Sequence, residues 1–294
     1  MSEALAFPAL APLSRIRLRW RLTVPVLMVA PLLVFMLVFY IEPVLAMLLR
    51  SVAEPHWTLS NYTQLAGDTV FLHVFWTTLR TALAVTAGTL LLGYPVALAL
   101  VRPGRAATVT LVIVLLPFWT SILVRSYAWM VLLGRHGLVN EALTAGGLID
   151  HPLRMLNTSI AVHIAMIHIL LPYMILPIAN ALRQIDPSLA KAALGLGASP
   201  FRTFRDVILP LSMPGVAAGV LLVFVLSLGF YITPALVGGP RDMTISMLIA
   251  QQVDQLNWPY AACLSATLLA TTLAIMAVFQ RLFRVGNAFR LTGR

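Results

Sequence analysis

Charged side chains and cysteine are both scarce in this chain. Asp, Glu, Lys and Arg make up 10% of its 294 residues, against about 25% in an ordinary soluble domain. The single cysteine, Cys263, excludes an intrachain disulfide and a cysteine-based zinc or iron–sulfur cluster. We interpret it as a small apolar residue of the last helix. The low charge and the 60% hydrophobic content predict a membrane protein.

Lysine is the rarest of the charged residues, and Lys191 is the only one in the sequence. An ATP-binding P-loop needs a Gly-Lys-Ser/Thr step that cradles phosphates, whereas Lys191 stands between two alanines. No HExxH pattern of a membrane-embedded metalloenzyme occurs in the sequence. His163 and His168 would lie about 140° apart on a helix, which is a poor geometry for sharing a metal. We therefore expect no catalytic residue, no metal site and no P-loop ATPase on this chain.

Long runs without any charged side chain dominate the sequence. Crossing about 30 Å of hydrocarbon takes about 20 helical residues, and backbone groups in lipid must be satisfied within the segment. The runs of sufficient length are 22–41, 81–101, 106–124, 155–182, 207–240 and 255–280. They predict an all-α polytopic membrane protein with six transmembrane helices.

The distribution of positive charge predicts the orientation. The segment RIRLRWR ends at residue 21, directly before the first run. With this end inside, most of the 20 Lys and Arg residues fall on the cytoplasmic side, as the positive-inside rule requires. We predict a cytoplasmic basic segment at 1–21, a membrane domain at 22–284 and a cytoplasmic tail at 285–294. The net charge of +10 then follows from topology, and no nucleic-acid partner is expected.

The most polar stretch between two runs is a predicted cytoplasmic loop at 186–210. Asp186 followed by Pro187, and Ser199 followed by Pro200, are both helix start signals. The letters LGLG between them permit a sharp reversal of the chain. We predict two short helices here, the second closed by Pro210. Such short helices need a packing partner to be stable.

This loop resembles a known motif. From Ala192 to Pro210 the sequence has two alanines, three residues, a glycine, nine residues, a valine, one residue and Leu-Pro. This pattern resembles the "EAA" cytoplasmic loop of ABC importer permeases. The stretches LPFWTSILVRSYAWMVLLGRHGLVN and SLGFYITPALVGGP resemble the spermidine/putrescine-type branch of that family. The resemblance covers about 20–285. It implies the type I importer permease fold in a bacterial inner membrane, with both termini cytoplasmic.

The resemblance also implies partners and roles. In that family the loop forms coupling helices that dock in a groove of the ATPase subunit. The matching positions are Lys191, Ala192, Ala193, Gly197, Ala198 and Ser199. Lys191 replaces the usual glutamate, so the groove on the partner would carry different charge. The expected partners are two ATPase subunits that hold ATP and magnesium, a second permease subunit and an extracytoplasmic solute-binding protein. A homologous second permease is the first choice, and an identical one is the alternative. No cofactor is expected on this chain.

Polar residues at membrane depth are candidates for the substrate pathway, because such residues are rare there and often functional. The candidates are Glu42, Arg80, Arg125, Ser227, Tyr231 and Thr233. Structural alternatives stay open at each position. Glu42 and Arg80 could instead snorkel to the membrane surface or form an ion pair with each other. Arg125 could be an anchor at the membrane interface beside Tyr127 and Trp129. The hydroxyls of the other three candidates could form hydrogen bonds between helices.

The sequence favours an importer subunit for a small polar solute but does not fix the solute. A polyamine is the first choice, since Glu42 and the aromatic faces of Phe230 and Tyr231 would attract a cation. The arginines would better suit an organic anion or zwitterion, and an amino acid, thiamine, phosphonate or iron-type ligand remains an alternative. A self-sufficient secondary transporter is the rival class, although coupling acids within the helices and an internal repeat are not evident.

Overall fold

The computed structural model describes residues 28–53, 57–102 and 104–291, with side chains as far as Leu282. These ranges contain helices, turns and bends but no strand. The helices are, in chain order, α1 Met28–Ala53, α2 Ser60–Gly67, α3 Thr69–Val101, α4 Arg105–Leu115, α5 Ile122–Leu132, α6 Leu138–Ala145, α7 Ser159–Arg183, α8 Pro187–Gly195, α9 Pro200–Leu228, α10 Ile232–Val237, α11 Ile245–Asp254 and α12 Trp258–Leu291. The predicted all-helical membrane fold is confirmed.

The predicted spans correspond to five long apolar helices and one broken span. Among the described residues, α1, α3, α7, α9 and α12 are each long and apolar enough to cross a membrane. Helices α4 and α5 together form a sixth candidate span, which is bent by 104°. The predicted bounds were less accurate. Helix α3 begins at Thr69 rather than 81, because a single arginine interrupts a charge-free run without ending a helix. Helix α1 continues past Glu42 for the same reason.

The predicted terminal segments fall only partly within the described residues. The basic segment at 1–21 and residues 22–27 of the first run lie outside the described residues. At the other end, the backbone of α12 continues to Leu291, into the segment predicted as a tail. The predicted cytoplasmic location of both ends stays a prediction.

The third run is not a straight helix. After α4 the chain makes a tighter 3-10 turn at Leu116–Trp119, with Pro117 near its start, and becomes extended at Thr120. Proline lacks the N–H that an α-helix interior needs, so the helix ends here. Ser121 then starts α5, its hydroxyl oxygen accepting a hydrogen bond of 3.3 Å from the Leu123 N–H. The result is a discontinuous span.

Three helices, α3, α7 and α9, pack tightly around a buried core that includes Met174, Ile175 and Ile178. Small residues allow the close approach. A Cβ at Gly215 of α9 would lie 2.5 Å from the Ala181 Cβ and 2.6 Å from a backbone oxygen of α7. A hydrogen bond of 2.8 Å between Tyr94 Oη and a serine hydroxyl of α9 adds a polar link between α3 and α9.

The tight crossing predicts a position-dependent effect of adding one methyl group. We expect Gly215→Ala to destabilise the protein by about 1–3 kcal/mol, because backbone atoms must move to accept the Cβ. Gly67→Ala is the matched control, since a Cβ at Gly67 meets nothing within 4 Å. Thermal unfolding in detergent measures both. A Gly215→Ala protein as stable as Gly67→Ala would contradict the described packing.

A second cluster ties the start of α3 to α12. Asp68 accepts a 2.8 Å hydrogen bond from the Val70 N–H, which caps α3. Its other carboxylate oxygen accepts a 2.8 Å hydrogen bond from the Tyr260 hydroxyl. The bond from Tyr260 is the main cause that lowers the pKa of Asp68 below its ordinary value of 3.8. Phe71, Val74 and residues of α11 and α12 form the apolar part of this cluster.

The Asp68–Tyr260 bond predicts a small dependence of stability on pH. A carboxyl whose pKa is lower in the folded state stabilises the fold above its unfolded pKa, and this contribution is lost as pH falls through the folded pKa. We therefore expect wild type to lose stability below about pH 4 more steeply than Tyr260→Phe, in which the carboxylate loses this donor. Unfolding curves measured between pH 3 and 7, at intervals of about one pH unit, test this. Parallel curves for the two proteins would refute it.

Candidate functional site

The first half of the 186–210 loop follows the sequence prediction. Asp186 Oδ1 accepts a 2.8 Å hydrogen bond from the Ser188 N–H and so caps α8. This bond also lowers the pKa of Asp186 from its ordinary value. Helix α8 ends at Gly195, and Gly197 has a φ of +86°. This is the left-handed region that glycine adopts without strain. The predicted reversal of the chain is confirmed.

The second half differs from the prediction. Ser199 does start a helix, since its hydroxyl oxygen accepts a 3.3 Å hydrogen bond from the Arg202 N–H. Pro210 does not close that helix, because α9 continues through it to Leu228. A π turn at Phe204–Ile208, in which the Leu209 N–H bonds the Phe204 carbonyl, widens the helix directly before the proline. The loop and the membrane helix are therefore continuous.

We call residues 186–203 the elbow. Its surface carries large exposed apolar side chains: Leu194 is 48% exposed, Leu196 is 90% exposed and Phe201 is 70% exposed. The positions predicted to contact the ATPase lie on it: Ala193 and Ala198 are half-buried, and the exposed ones are Lys191, Ala192, Gly197 and Ser199. A contiguous exposed apolar patch usually marks an interaction surface. The elbow therefore has the properties of a docking surface.

A cavity of about 470 Å³ lies beneath the elbow. Its walls come from the end of α3, the end of α7, the start of α8 and the first turns of α9. Most of the lining is apolar, and the residues include Leu98, Val101, Leu182, Ile185, Phe204 and Ile208. This space lies between the elbow and the ends of α3 and α7.

The two interrupted runs meet at a buried hydrogen bond. The hydroxyl oxygens of Ser126 on α5 and Thr233 on α10 lie 2.8 Å apart. Helix α10 follows the end of α9 after a break at 229–231. Irregular backbone at membrane depth occurs where it is buried in protein or lines a cavity, and interrupted helices commonly form the substrate sites of transporters. These two breaks are the best candidate for the substrate pathway.

The predicted pathway residues of α9 and α10 differ in their surroundings. Ser227 is buried and donates a 2.7 Å hydrogen bond to the Val223 carbonyl of its own helix. Thr233 forms the bond to Ser126, so the interpretation as a bond between helices fits it. Tyr231 lies in the break and is 45% exposed. Of the three, Tyr231 is the one available to a ligand.

Arg125 lies on α5, after the break between α4 and α5, and directly precedes Ser126, which contacts Thr233. Its side chain is half-buried, and its Nε and Nη1 atoms are buried without a hydrogen-bond partner. His168 and Tyr173 of α7 are within range of electrostatic interaction with it. Trp129, named in the sequence analysis beside Arg125, donates a 3.1 Å hydrogen bond to His168 Nδ1. The sequence did not predict this contact with His168.

Glu42 and Arg80 are exposed and do not form an ion pair with each other in the described part of the chain. Helix α1, which carries Glu42, packs against α12, whereas the breaks lie among α5, α7 and α10. His163 and His168 also have separate partners, since the first contacts the Ser159 carbonyl and the second Trp129. The structure thus brings Arg125, Thr233 and Tyr231 to one region and leaves Glu42 outside it.

An all-helical membrane subunit with an exposed elbow and two interrupted spans belongs to the class of transport permeases. Residues 89–285 match the family described as binding-protein-dependent transport system inner membrane component, and the chain belongs to this family. It is 37% identical over 233 residues to the spermidine/putrescine transport system permease protein PotB of Escherichia coli (strain K12), covering 79% of this chain and 84% of PotB. It is 35% identical over 243 residues to the inner membrane ABC transporter permease protein YdcU of the same strain, covering 78% and 77%.

A solved structure supports the fold. A bacterial alginate ABC transporter in complex with an alginate pentasaccharide-bound periplasmic protein has a chain that aligns with a TM-score of 0.71 at 19% identity, over 92% of this chain and 96% of that one. The present chain is the permease subunit of an ABC importer and a multi-pass inner-membrane protein, and it works with a binding protein and ATPase subunits.

Proposed function

We propose that this chain forms half of the translocation pathway for a polyamine-like solute and is driven by two ATPase subunits that dock on the elbow. The relatives named for spermidine/putrescine transport, at 37% identity in Escherichia coli and 36% in Haemophilus influenzae, support the solute. The continuity of the elbow with α9 is the observation that supports coupling to the ATPase subunits. This helix runs from Pro200 to the break at 229–231 without a hinge of extended backbone.

The proposed mechanism is a rigid-body switch between two packings. The ATPase subunits bind ATP and magnesium, and their closure moves the elbow. Because α9 is continuous with the elbow, the movement reaches the break beside Thr233 and changes the exposure of the pathway. The 470 Å³ cavity beneath the elbow provides room for the displacement. Solute handed over by the binding protein enters from the outer side, and both chain ends, at 1–21 and 285–294, face the cytoplasm with the elbow.

We propose a homologous rather than an identical second permease subunit. Two copies of this chain would bring two Arg125 side chains to the pathway of a polycation. The described spans carry carboxylates only at Glu42 and Asp206, and Asp206 follows the elbow with its carboxylate 3.6 Å from Arg205. A different chain can supply the acidic groups that a cation requires. Native mass spectrometry of the co-expressed importer tests this, and a homodimer of this chain would contradict it.

Uptake by the reconstituted importer tests the proposed function. The chain would be co-expressed with its neighbouring transport genes, purified and placed in proteoliposomes with the binding protein outside and ATP inside. Uptake of labelled putrescine and spermidine that requires ATP is the expected result. Uptake that is driven by an ion gradient without any ATPase subunit would instead support a secondary transporter. ATP-driven uptake of an amino acid, thiamine, a phosphonate or an iron-type ligand, but of no polyamine, would correct the solute alone.

A further inference from the structure

Arg125 lies deep in the membrane domain. Helix α4 and the following turn rise about 22 Å from Arg105 to Trp119, just before the break. On α7 the rise from Arg183 to His168 is also about 22 Å. Both distances start at the elbow end of the bundle and fall within the roughly 30 Å of hydrocarbon. The guanidinium is therefore held at membrane depth, where ionisable groups are rare and functional.

The α7 side chains that interact electrostatically with Arg125 are an imidazole and a phenol rather than carboxylates. A tryptophan N–H can only donate, so the bond from Trp129 makes His168 Nδ1 the acceptor and leaves the ring proton on Nε2. Arg125 itself has five N–H groups and no acceptor, and two of its nitrogens are buried without a partner. The Tyr173 hydroxyl of α7, which can donate or accept, is also within range of electrostatic interaction with Arg125. The cluster therefore has one positive charge, and two nitrogens of its guanidinium lack an acceptor.

Nothing in the described spans neutralises this charge. Glu42 lies on α1, which packs against α12, and Asp206 follows the elbow and lies near Arg205. A buried N–H without an acceptor costs free energy comparable to a lost hydrogen bond, and a buried charge costs more. The position next to an interrupted helix gives a ligand or a neighbouring subunit access to the guanidinium. A carboxylate matches its planar geometry, because two parallel N–H···O bonds form.

We propose that Arg125, positioned by α5, is a carboxylate-binding site at the break between α4 and α5. The inference rests on the proposed function, since the break must line a pathway. The carboxylate comes either from an acidic side chain of the second permease subunit or from the solute. In the first case it neutralises Arg125 and allows a polycation to pass. In the second case the solute is an amine that also carries a carboxylate.

The test compares Arg125→Gln and Arg125→Lys with Arg135→Gln in the reconstituted importer. Arg135 is exposed and lies after the end of α5, so its replacement removes the same charge outside the break. The probes are two pairs that differ only by a carboxylate, putrescine with L-ornithine and agmatine with L-arginine. Initial uptake rates and co-purification of the second permease subunit are measured for each variant. The second measurement does not depend on which solute the binding protein accepts.

The two sources of the carboxylate predict different patterns of uptake and co-purification. For a solute carboxylate, Arg125→Gln lowers uptake of the carboxylate member of a pair by about 10-fold or more, Arg125→Lys retains part of it, and the diamine is unaffected. For a subunit carboxylate, Arg125→Gln lowers uptake of both members and weakens co-purification, and neutralising one acid of the second subunit restores both. Uptake and co-purification equal to those of Arg135→Gln would overturn the site. Loss of ATP dependence in wild type would instead overturn the proposed function.

Discussion

Replacing Gly197 with valine is expected to reduce ATP-driven uptake by about 10-fold or more while the membrane helices stay folded. Gly197 has a φ of +86°, and a Cβ there would meet nothing within 4 Å. The cost is therefore backbone strain alone, about 1–3 kcal/mol for a residue with a side chain in this region. The turn of the elbow would open and displace α8 from the ATPase. Uptake and solute-stimulated ATP hydrolysis in the reconstituted importer measure the coupling.

A matched control lies two positions away in the same elbow. Gly195 is within α8, has ordinary helical backbone, and also has open space around a Cβ. Gly195→Val is expected to keep near wild-type coupling, because valine is tolerated in a helix about as well as glycine. Equal coupling in the two valine variants would show that the left-handed turn is not needed, and the proposed docking would lose its geometric basis.

The second large effect is expected from charge on the elbow surface. Leu196 and Phe201 are 90% and 70% exposed. If they are buried against the ATPase, each contributes about 1.5–3 kcal/mol of apolar burial. The double variant Leu196→Asp with Phe201→Asp would lose this and place two carboxylates in an apolar contact. We expect at least about 100-fold weaker association, seen as loss of the ATPase subunits during purification.

Leu148→Asp provides the control for that experiment. Leu148 is 74% exposed and lies between α6 and α7, remote in sequence from the elbow. The same change of an exposed leucine to aspartate there is expected to leave ATPase co-purification unchanged. Loss of the ATPase in both variants would indicate a general folding defect, and retention in both would argue against the elbow as the contact.

The parts of this molecule that depend on local chemistry could be predicted from its sequence. Charge-free runs located the spans, because lipid excludes charge whatever the tertiary packing. Asp186 and Ser199 were correctly predicted as caps, because a cap needs only its neighbouring N–H groups. Gly197 was predicted within a reversal for a similarly local reason. These features also make up the elbow, so the proposed coupling surface was accessible to sequence reasoning.

The parts that depend on contacts between distant segments could not be predicted. Ser126 with Thr233, and Asp68 with Tyr260, pair through tertiary packing, which residue patterns along one segment do not encode. Pro210 was read as a helix end because the preceding π turn has no distinct sequence signal. The surroundings of Arg125 depend on the packing of α5 against α7, which the sequence of either helix alone does not specify. A polar residue beside a proline-interrupted run was the available signal for that site.

Cross-linking from position 196 tests the central claim most directly. A photoreactive amino acid would replace Leu196 in the assembled importer, with the same replacement at Leu148 as a reference. After illumination, the covalent partner of each position would be identified by mass spectrometry. A product between position 196 and an ATPase subunit, with none from position 148, is the predicted result. A product between position 196 and the extracytoplasmic binding protein would contradict the account, because the elbow would then face the wrong side of the membrane.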